Sequence, residues 1–511
     1  MESDRISDVP NQSQTGGRRK PAVCPGTRRE FLWQAGAGFA GLALTDVLDR
    51  DGFFSSRVRA AEQPTGDFAI NPLAPRTSHF PAKAKRCIFL FMYGGPSSVD
   101  MWDYKPQLQK RDRKTVDIEI RRGSIQKQTL LASRRKFAQH GESGLWGSDA
   151  VPLINRHLDD MCIIKSLYAD AFAHGSAMIQ MNSGRIIQGF PTIGSWLTYG
   201  LGSSADNLPG YVVMLDPRGG PISGAANWTS GFMPAAYQGT HLRSKGEPIL
   251  DLVSPSGMTR GMQRDRIKTL NRLNALHQQD RPGNSELAAR IASYELAFQL
   301  QSAAPEVMDL STETRQTLKM YGVGEPKPKT HSLALGPSHF GSQCLIARRL
   351  IERGVRFVQI YSGGGHQQQN WDAHNGVEEN LLIHAPEIDR PIHALLTDLK
   401  QRGLLDETLI VWGGEFGRQP VSQGANGGRD HNPKGFHYWL AGGGAKGGHS
   451  HGATDELGRE AVENRHHIRD LHATILHLMG IDHNKLTYFY GGLNHKLTGV
   501  RGAQVIHDVI A

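Results

Sequence analysis

"VWGGEFGRQP", Val411 to Pro420, reads as the end of a buried strand that runs into a glutamate. Thr408 to Trp412 are β-branched or large and apolar, and Gly413, Gly414, Glu415, Phe416 and Gly417 follow. Glycines at the C-terminal end of a strand allow a sharp turn and a close approach by a ligand or a second backbone. A carboxylate set between them is held in place, unlike one on a surface loop. Five other stretches share the design: "RCIFLFMYGG" from Arg86, "CIIKSLY" from Cys162, "GYVVMLD" from Gly210, "RFVQIYSGG" from Arg356 and "FHYWLAGGG" from Phe436. Continuous apolar runs that end in small or turn residues predict central strands buried on both faces. Helical spacing precedes two of them, around Cys344 to Glu352 and from about Pro386 to Arg402. Strands alternating with helices predict an α/β fold, a mostly parallel central sheet with helices on both faces. Between about 220 and 340, "RDRIKTLNRLNALHQQ" and "SELAARIASYELAFQLQ" predict a helical insertion.

The 511 residues carry a formal charge of +9, yet the basic residues are scattered and no Lys/Arg run interleaves with aromatics. Nucleic acid is therefore not an expected partner. Four cysteines stand far apart without a CxxC pair and read as buried thiols. "TRREFLWQAGAGFAGLAL", Thr27 to Leu44, has a twin-arginine pattern in Arg28 and Arg29, then a weakly apolar Gly/Ala-rich stretch, with small residues at Ala60 and Ala61 for cleavage. The expected organisation is a leader over 1–61, a linker over 62–84 and one domain over 85–511. The leader predicts passage through the twin-arginine translocase and a periplasmic or extracellular mature protein. No stretch approaches the roughly 20 apolar residues of a membrane span.

Histidine carries the chemical signal. There are 23, and 15 lie from His366 onward. The segments after the predicted strands hold Asp100 and Asp103, then His174 and Ser176, then His366, Asp372 and His374, then Glu415 and Arg418. The loop before the last strand holds Asp430, His431 and then His437. Ligands of such sheets bind beyond the C-terminal strand ends. Imidazoles and carboxylates gathered there without a counter-charge repel and lose hydration at a cost of several kcal/mol, which a divalent metal removes. Hard O and N donors without thiolate suit Zn, Mn, Mg or Ca, as one ion or two. Each motif alone also fits a structural role: Glu415 as a salt-bridge partner of Arg418, or Asp430 as a holder of His431.

The order of these motifs resembles the alkaline phosphatase superfamily. "GGEFG" stands where that family has a strand ending in a metal-binding aspartate, and "DLHATILHLMGI", Asp470 to Ile481, is similar to a sulfatase helix. With "GGPSSVDMWDYKP", "WDAHNG", "EFGR" and "GRDH", the chain resembles a secreted, sulfatase-like family of that superfamily whose activity is not established. The resemblance implies metal ligands at Asp100, Asp372, His374, Glu415 and His431. In "HGSAMIQMNSGR" it puts His174 where the family carries its nucleophile, two residues before Ser176. A histidine cannot become formylglycine, so formylglycine chemistry is not expected. Two readings follow. One is a metal-dependent hydrolase of small-molecule or glycan phosphate or sulfate esters, with His174 or Ser176 attacking or moving a proton and Arg418 or Arg185 binding the anion. The other is a non-catalytic, metal-containing protein that binds anionic glycans or other secreted ligands.

Overall fold

The computed structural model describes residues 72–121, 124–243, 249, 257–279 and 285–511. The twin-arginine segment, Cys24 and the proposed cleavage site lie outside the described residues. One sheet organises the rest. Its strands are β1 (Arg86–Met92), β2 (Met161–Tyr168), β3 (Tyr211–Met214), β4 (Thr240–His241), β5 (Phe357–Ser362), β6 (Thr408–Gly413), β7 (Phe436–Ala441), β8 (His449–His451) and β9 (His466–His467). They lie in the order β8-β2-β7-β6-β1-β5-β3-β4, with β9 also paired to β2.

All six predicted strands form. Each of their apolar runs is buried on both faces, so residues of alternating parity enter two different cores. Ile88, Leu90, Met92, Ile410 and Trp412 face one layer, and Cys87, Phe89, Phe91, Leu409 and Val411 the other. The longer helices are α1 (His174–Ser183), α2 (Ile193–Leu201), α3 (Arg260–Gln279), α4 (Ser285–Met308), α5 (Pro337–Glu352), α6 (Val377–Gln401) and α7 (Ile468–Leu478). Residues of α4, α5 and α6 fill the first layer, and those of α1, α2 and α7 the second. Each large apolar side chain fully buried this way is worth roughly 1.5–3 kcal/mol.

Three features differ from the sequence reading or were absent from it. First, α6 starts at Val377, well before Pro386. The stretch from Val377 to Ala385 is helix-forming and packs Val377, Leu381 and Ala385 into the core, which outweighs the prolines at 386 and 391. Second, β7 runs antiparallel to both β6 and β2, while every other pairing in the sheet is parallel. Its N-terminal end therefore lies where its neighbours have their C-terminal ends, and the loop before it reaches the same edge as the loops after them. Third, a polar hairpin, Thr115–Arg121 with Ser124–Thr129, projects beside that edge. Leu131 N donates to Pro420 O at 2.9 Å and Ser422 N to Thr129 O at 2.8 Å, fixing its base to the segment after β6.

Cys87, Cys162 and Cys344 are buried free thiols. Among the described residues no helix is long and apolar enough to cross a membrane.

Candidate metal centre

Four side chains from three connections meet at the edge. His174 opens α1 after β2, Asp372 and His374 lie between β5 and α6, and His431 lies in the loop before β7. One ligand atom from each lies within 4.8 Å of all the others. Local pairing explains the placement: Gly417–Arg418 and His431–Asn432 form a two-stranded ladder that puts His431 opposite Arg418. Gly94, at φ +111°, closes β1 against the loop carrying Asp372. A Cβ there would sit 2.5 Å from Asp372 N and 2.6 Å from Trp371 N, so only glycine allows the two backbones to approach this closely.

The three imidazoles are each gripped at Nδ1 and converge at Nε2. His174 Nδ1 faces Glu415 Oε1 at 2.5 Å, and His431 Nδ1 faces the carbonyl of Phe172 at 2.8 Å. Both acceptors are oxygens without a proton to give, so both Nδ1 atoms carry hydrogen and donate it. His374 Nδ1 faces Gln423 Oε1 at 2.6 Å. The Nε2 atoms of His174, His374 and His431 lie 3.2, 2.9 and 3.3 Å from one oxygen, Asp372 Oδ1. His374 Nε2 and His431 Nε2 are 2.9 Å apart, and His174 Nε2 is buried with the Asp372 carboxylate before it at 3.2 Å. Nitrogen lone pairs aimed at a common point fit a cation there, with a carboxylate, an amide and a backbone carbonyl behind the rings fixing their tautomers.

Without an ion, the same convergence shifts the titrations. Burial depresses His174, but its hydrogen bonds to Asp372 and Glu415 prevail and raise it to about 9. The hydrogen bond to Asp372 raises His374, whereas burial lowers His431. Burial alone would raise Asp372; hydrogen bonds from three imidazoles and the charge of Arg418 instead hold it far below the usual carboxylate range. The carboxylate is thus ionised, as a ligand must be.

The other predicted site residues take different places. Glu415 is fully buried behind His174, where it also accepts from Gly94 N at 3.0 Å, so it stands behind a ring and outside the four-residue cluster. Asp100 lies in a turn after β1, also outside it. Its two oxygens accept from Arg429 Nε at 2.8 Å and Nη2 at 3.1 Å in a fully buried ion pair, so its charge is already neutralised. Arg418 is spent on protein: Nε on Gly95 O at 2.9 Å, Nη1 on Arg429 O at 3.2 Å, and Nη2 on Asp372 Oδ1 at 2.6 Å and on Gly94 O. It orients Asp372 and is not free to hold a substrate anion. Ser176 donates to Ala173 O at 3.2 Å. Arg185 follows the far end of α1, roughly 15 Å along the helix from His174. His366 stays on an exposed loop, and His437 is buried against Trp102 and Trp412.

Sequence reasoning did not single out Gln423 or Gln419. Both line a cleft of about 470 Å³ beside the cluster, between the polar hairpin and the segment after β6, and Asp430 lies on its inner side. The only signal was the polar run "GRQPVSQG", Gly417 to Gly424, just after Glu415 and Phe416. His374 has the most exposed side chain of the four, at 32%, so the cluster opens on its side.

Fold and site together define an α/β protein with a candidate three-histidine, one-aspartate metal centre at the strand-end edge of a mostly parallel sheet. Residues 84–510 match the family described as "Protein of unknown function (DUF1501)", and the chain belongs to that family. No curated protein matches the chain. Similar solved structures include the PsFucS1 sulfatase from Pseudoalteromonas sp., at 12% identity over 78% of this chain and 68% of that one, with a TM-score of 0.34. A TAB5 alkaline phosphatase variant with Mg bound matches at 10% identity over 78% and 98%, with a TM-score of 0.32. The phosphonate monoester hydrolase SpPMH from Silicibacter pomeroyi matches at 14% identity over 65% and 68%, with a TM-score of 0.28.

Proposed function

We propose that this chain is an exported hydrolase of phosphate or sulfate esters that works with one divalent ion held by His174, Asp372, His374 and His431. The observation that carries the reading is the convergence of three Nε2 atoms on Asp372 Oδ1 beside an open cleft. Three imidazoles and one carboxylate favour zinc over magnesium or calcium, which take oxygen donors. Bound there, such an ion supplies Lewis-acid polarisation of an ester oxygen and acidifies water in its shell.

The chain's own groups do the rest. Glu415, Gln423 and the Phe172 carbonyl keep the rings oriented, and Arg418 keeps Asp372 in place. Asp430 carries the carboxylate on the cleft side and is placed to take a proton from an entering water. No hydroxyl nucleophile is needed, which accords with histidine at position 174 and with Ser176 bonded to its own helix. That same substitution favours the second reading, a metal-containing binding protein without turnover. Aryl phosphate, phosphodiester, phosphonate and sulfate esters offered to zinc-loaded protein separate the two. Turnover that chelation removes, zinc restores and His374→Ala abolishes supports hydrolysis. Absence of turnover on all four by protein carrying one ion per chain favours binding alone.

A further inference from the structure

The cleft beside the cluster has a chemistry of its own. Its outer wall is the hairpin strand Ser124–Thr129, in which Ser124, Gln126 and Gln128 share one face while Ile125 and Lys127 point the other way. The hairpin is fixed by the backbone bonds at its base and by Lys434 Nζ on Glu119 Oε2 at 2.7 Å. Its inner wall is Gln419, Val421, Ser422, Gln423 and Asp430. Among the described lining residues there is no lysine or arginine, and the single charge is the carboxylate of Asp430. A polyanion finds no counter-charge here.

Gln419 says what does fit. It is 4% exposed, and its Oε1 is buried without a partner. The orientation of its amide is fixed by its neighbours. Asn432 Nδ2 donates to Gly435 O at 3.1 Å and Gly458 O at 3.3 Å, and Asn432 Oδ1 accepts from Lys434 N at 3.2 Å. Gln419 Nε2 must therefore be the donor to Asn432 Oδ1, at 3.3 Å, and Oε1 is the free acceptor. A buried acceptor at the cleft wall is matched by an O–H or N–H donor, from water or from a ligand, and not by an ester's anionic oxygens. Hydroxyl groups are such donors, and the amides and hydroxyls opposite can both give and receive hydrogen bonds from them.

We infer that this cleft binds the uncharged, hydroxyl-rich arm of the ligand, a neutral sugar, next to the group presented to the histidine cluster. The inference rests on the proposed ester chemistry only for what is attached to the sugar; the cleft binds the sugar itself. Its size suits a small-molecule site. Gln423 joins the two parts, since it lines the cleft and holds His374.

The test is calorimetric titration and array binding with full-length protein. The probes are neutral gluco-, galacto-, manno- and xylo-oligosaccharides and their sulfated counterparts. At least one neutral series should bind, with an affinity insensitive to added salt. Binding should weaken about tenfold or more in Gln126→Ala/Gln128→Ala, an exposed and a half-buried position on the hairpin whose replacement leaves the fold intact. It should persist after the metal is stripped. Binding only to sulfated chains, lost with salt, overturns the inference. So does no binding of any neutral series, or binding unchanged by the double substitution. Sugar binding without ester turnover refutes the hydrolase and leaves the cleft; turnover of simple aryl esters without sugar binding does the reverse.

Discussion

Glu415→Gln isolates what the carboxylate behind His174 contributes. The glutamine keeps the shape and an oxygen able to accept from both His174 Nδ1 and Gly94 N, the two donors that Glu415 Oε1 faces at 2.5 and 3.0 Å. Only the charge is lost. A carboxylate behind a ligating imidazole raises the ring's basicity, and removing such a partner weakens metal affinity by roughly 10- to 100-fold. That corresponds to about 1.4–2.7 kcal/mol. Zinc affinity measured by competition with a chromophoric chelator should fall in that range, while saturating zinc still gives one ion per chain. Glu415→Ala should fall further, because the tautomer of His174 is then no longer fixed. If Glu415→Gln binds zinc as tightly as the parent while its thermal midpoint drops, the carboxylate serves only the turn and the reasoning fails. Loss of stoichiometric binding even at saturation would instead make Glu415 a ligand.

Asp100→Asn should leave zinc stoichiometry unchanged and lower stability by about 3–5 kcal/mol in chemical unfolding, since it strands the buried Arg429; loss of the ion would return Asp100 to the ligand set. Burial pushes the His437 imidazole down to about 3, with neither ring nitrogen hydrogen-bonded. The unfolded chain therefore takes up the proton first as pH falls below about 6.5, and stability is lost from there toward pH 3. At pH 5 the loss is about 2 kcal/mol, and His437→Leu should flatten that part of the acid limb in urea titrations; an unaltered limb contradicts the assignment. Replacing Arg28 and Arg29 with lysine should retain the precursor inside the cell on fractionation, and normal export of that variant would reject the twin-arginine reading.

The sheet was legible because its six main strands are runs of apolar residues longer than any turn, and a strand buried on both faces has no other way to be written. The direction of β7 was not legible. "FHYWLA" is equally apolar read either way, and nothing in the run itself fixes its direction; it pairs antiparallel with β6, Trp439 opposite Trp412. Asp372 and His374 stood out as ligand types two residues apart in a glycine-bounded loop, and they do meet His431. The roles of His174 and Glu415 could not be divided from sequence. Which of them faces the centre depends on Nδ1 of one ring turning toward a carboxylate 241 positions away. Asp100 was ambiguous for the complementary reason: a carboxylate at a strand end looks alike in sequence whether a metal or, as here, Arg429 stands against it. The hairpin escaped because "SIQKQT" has no apolar alternation, its strands being held by backbone pairing and by its base.

The most direct test of the central claim is X-ray absorption at the metal edge, with elemental analysis, on the purified chain and on His174→Ala. The parent should carry one ion per chain in a shell of nitrogen and oxygen at about 2.0–2.2 Å with imidazole scattering from three rings. His174→Ala should retain two rings and bind more weakly. A parent chain without stoichiometric metal after zinc loading, or an ion in an all-oxygen shell that His174→Ala leaves unchanged, would contradict a metal centre built on His174, Asp372, His374 and His431.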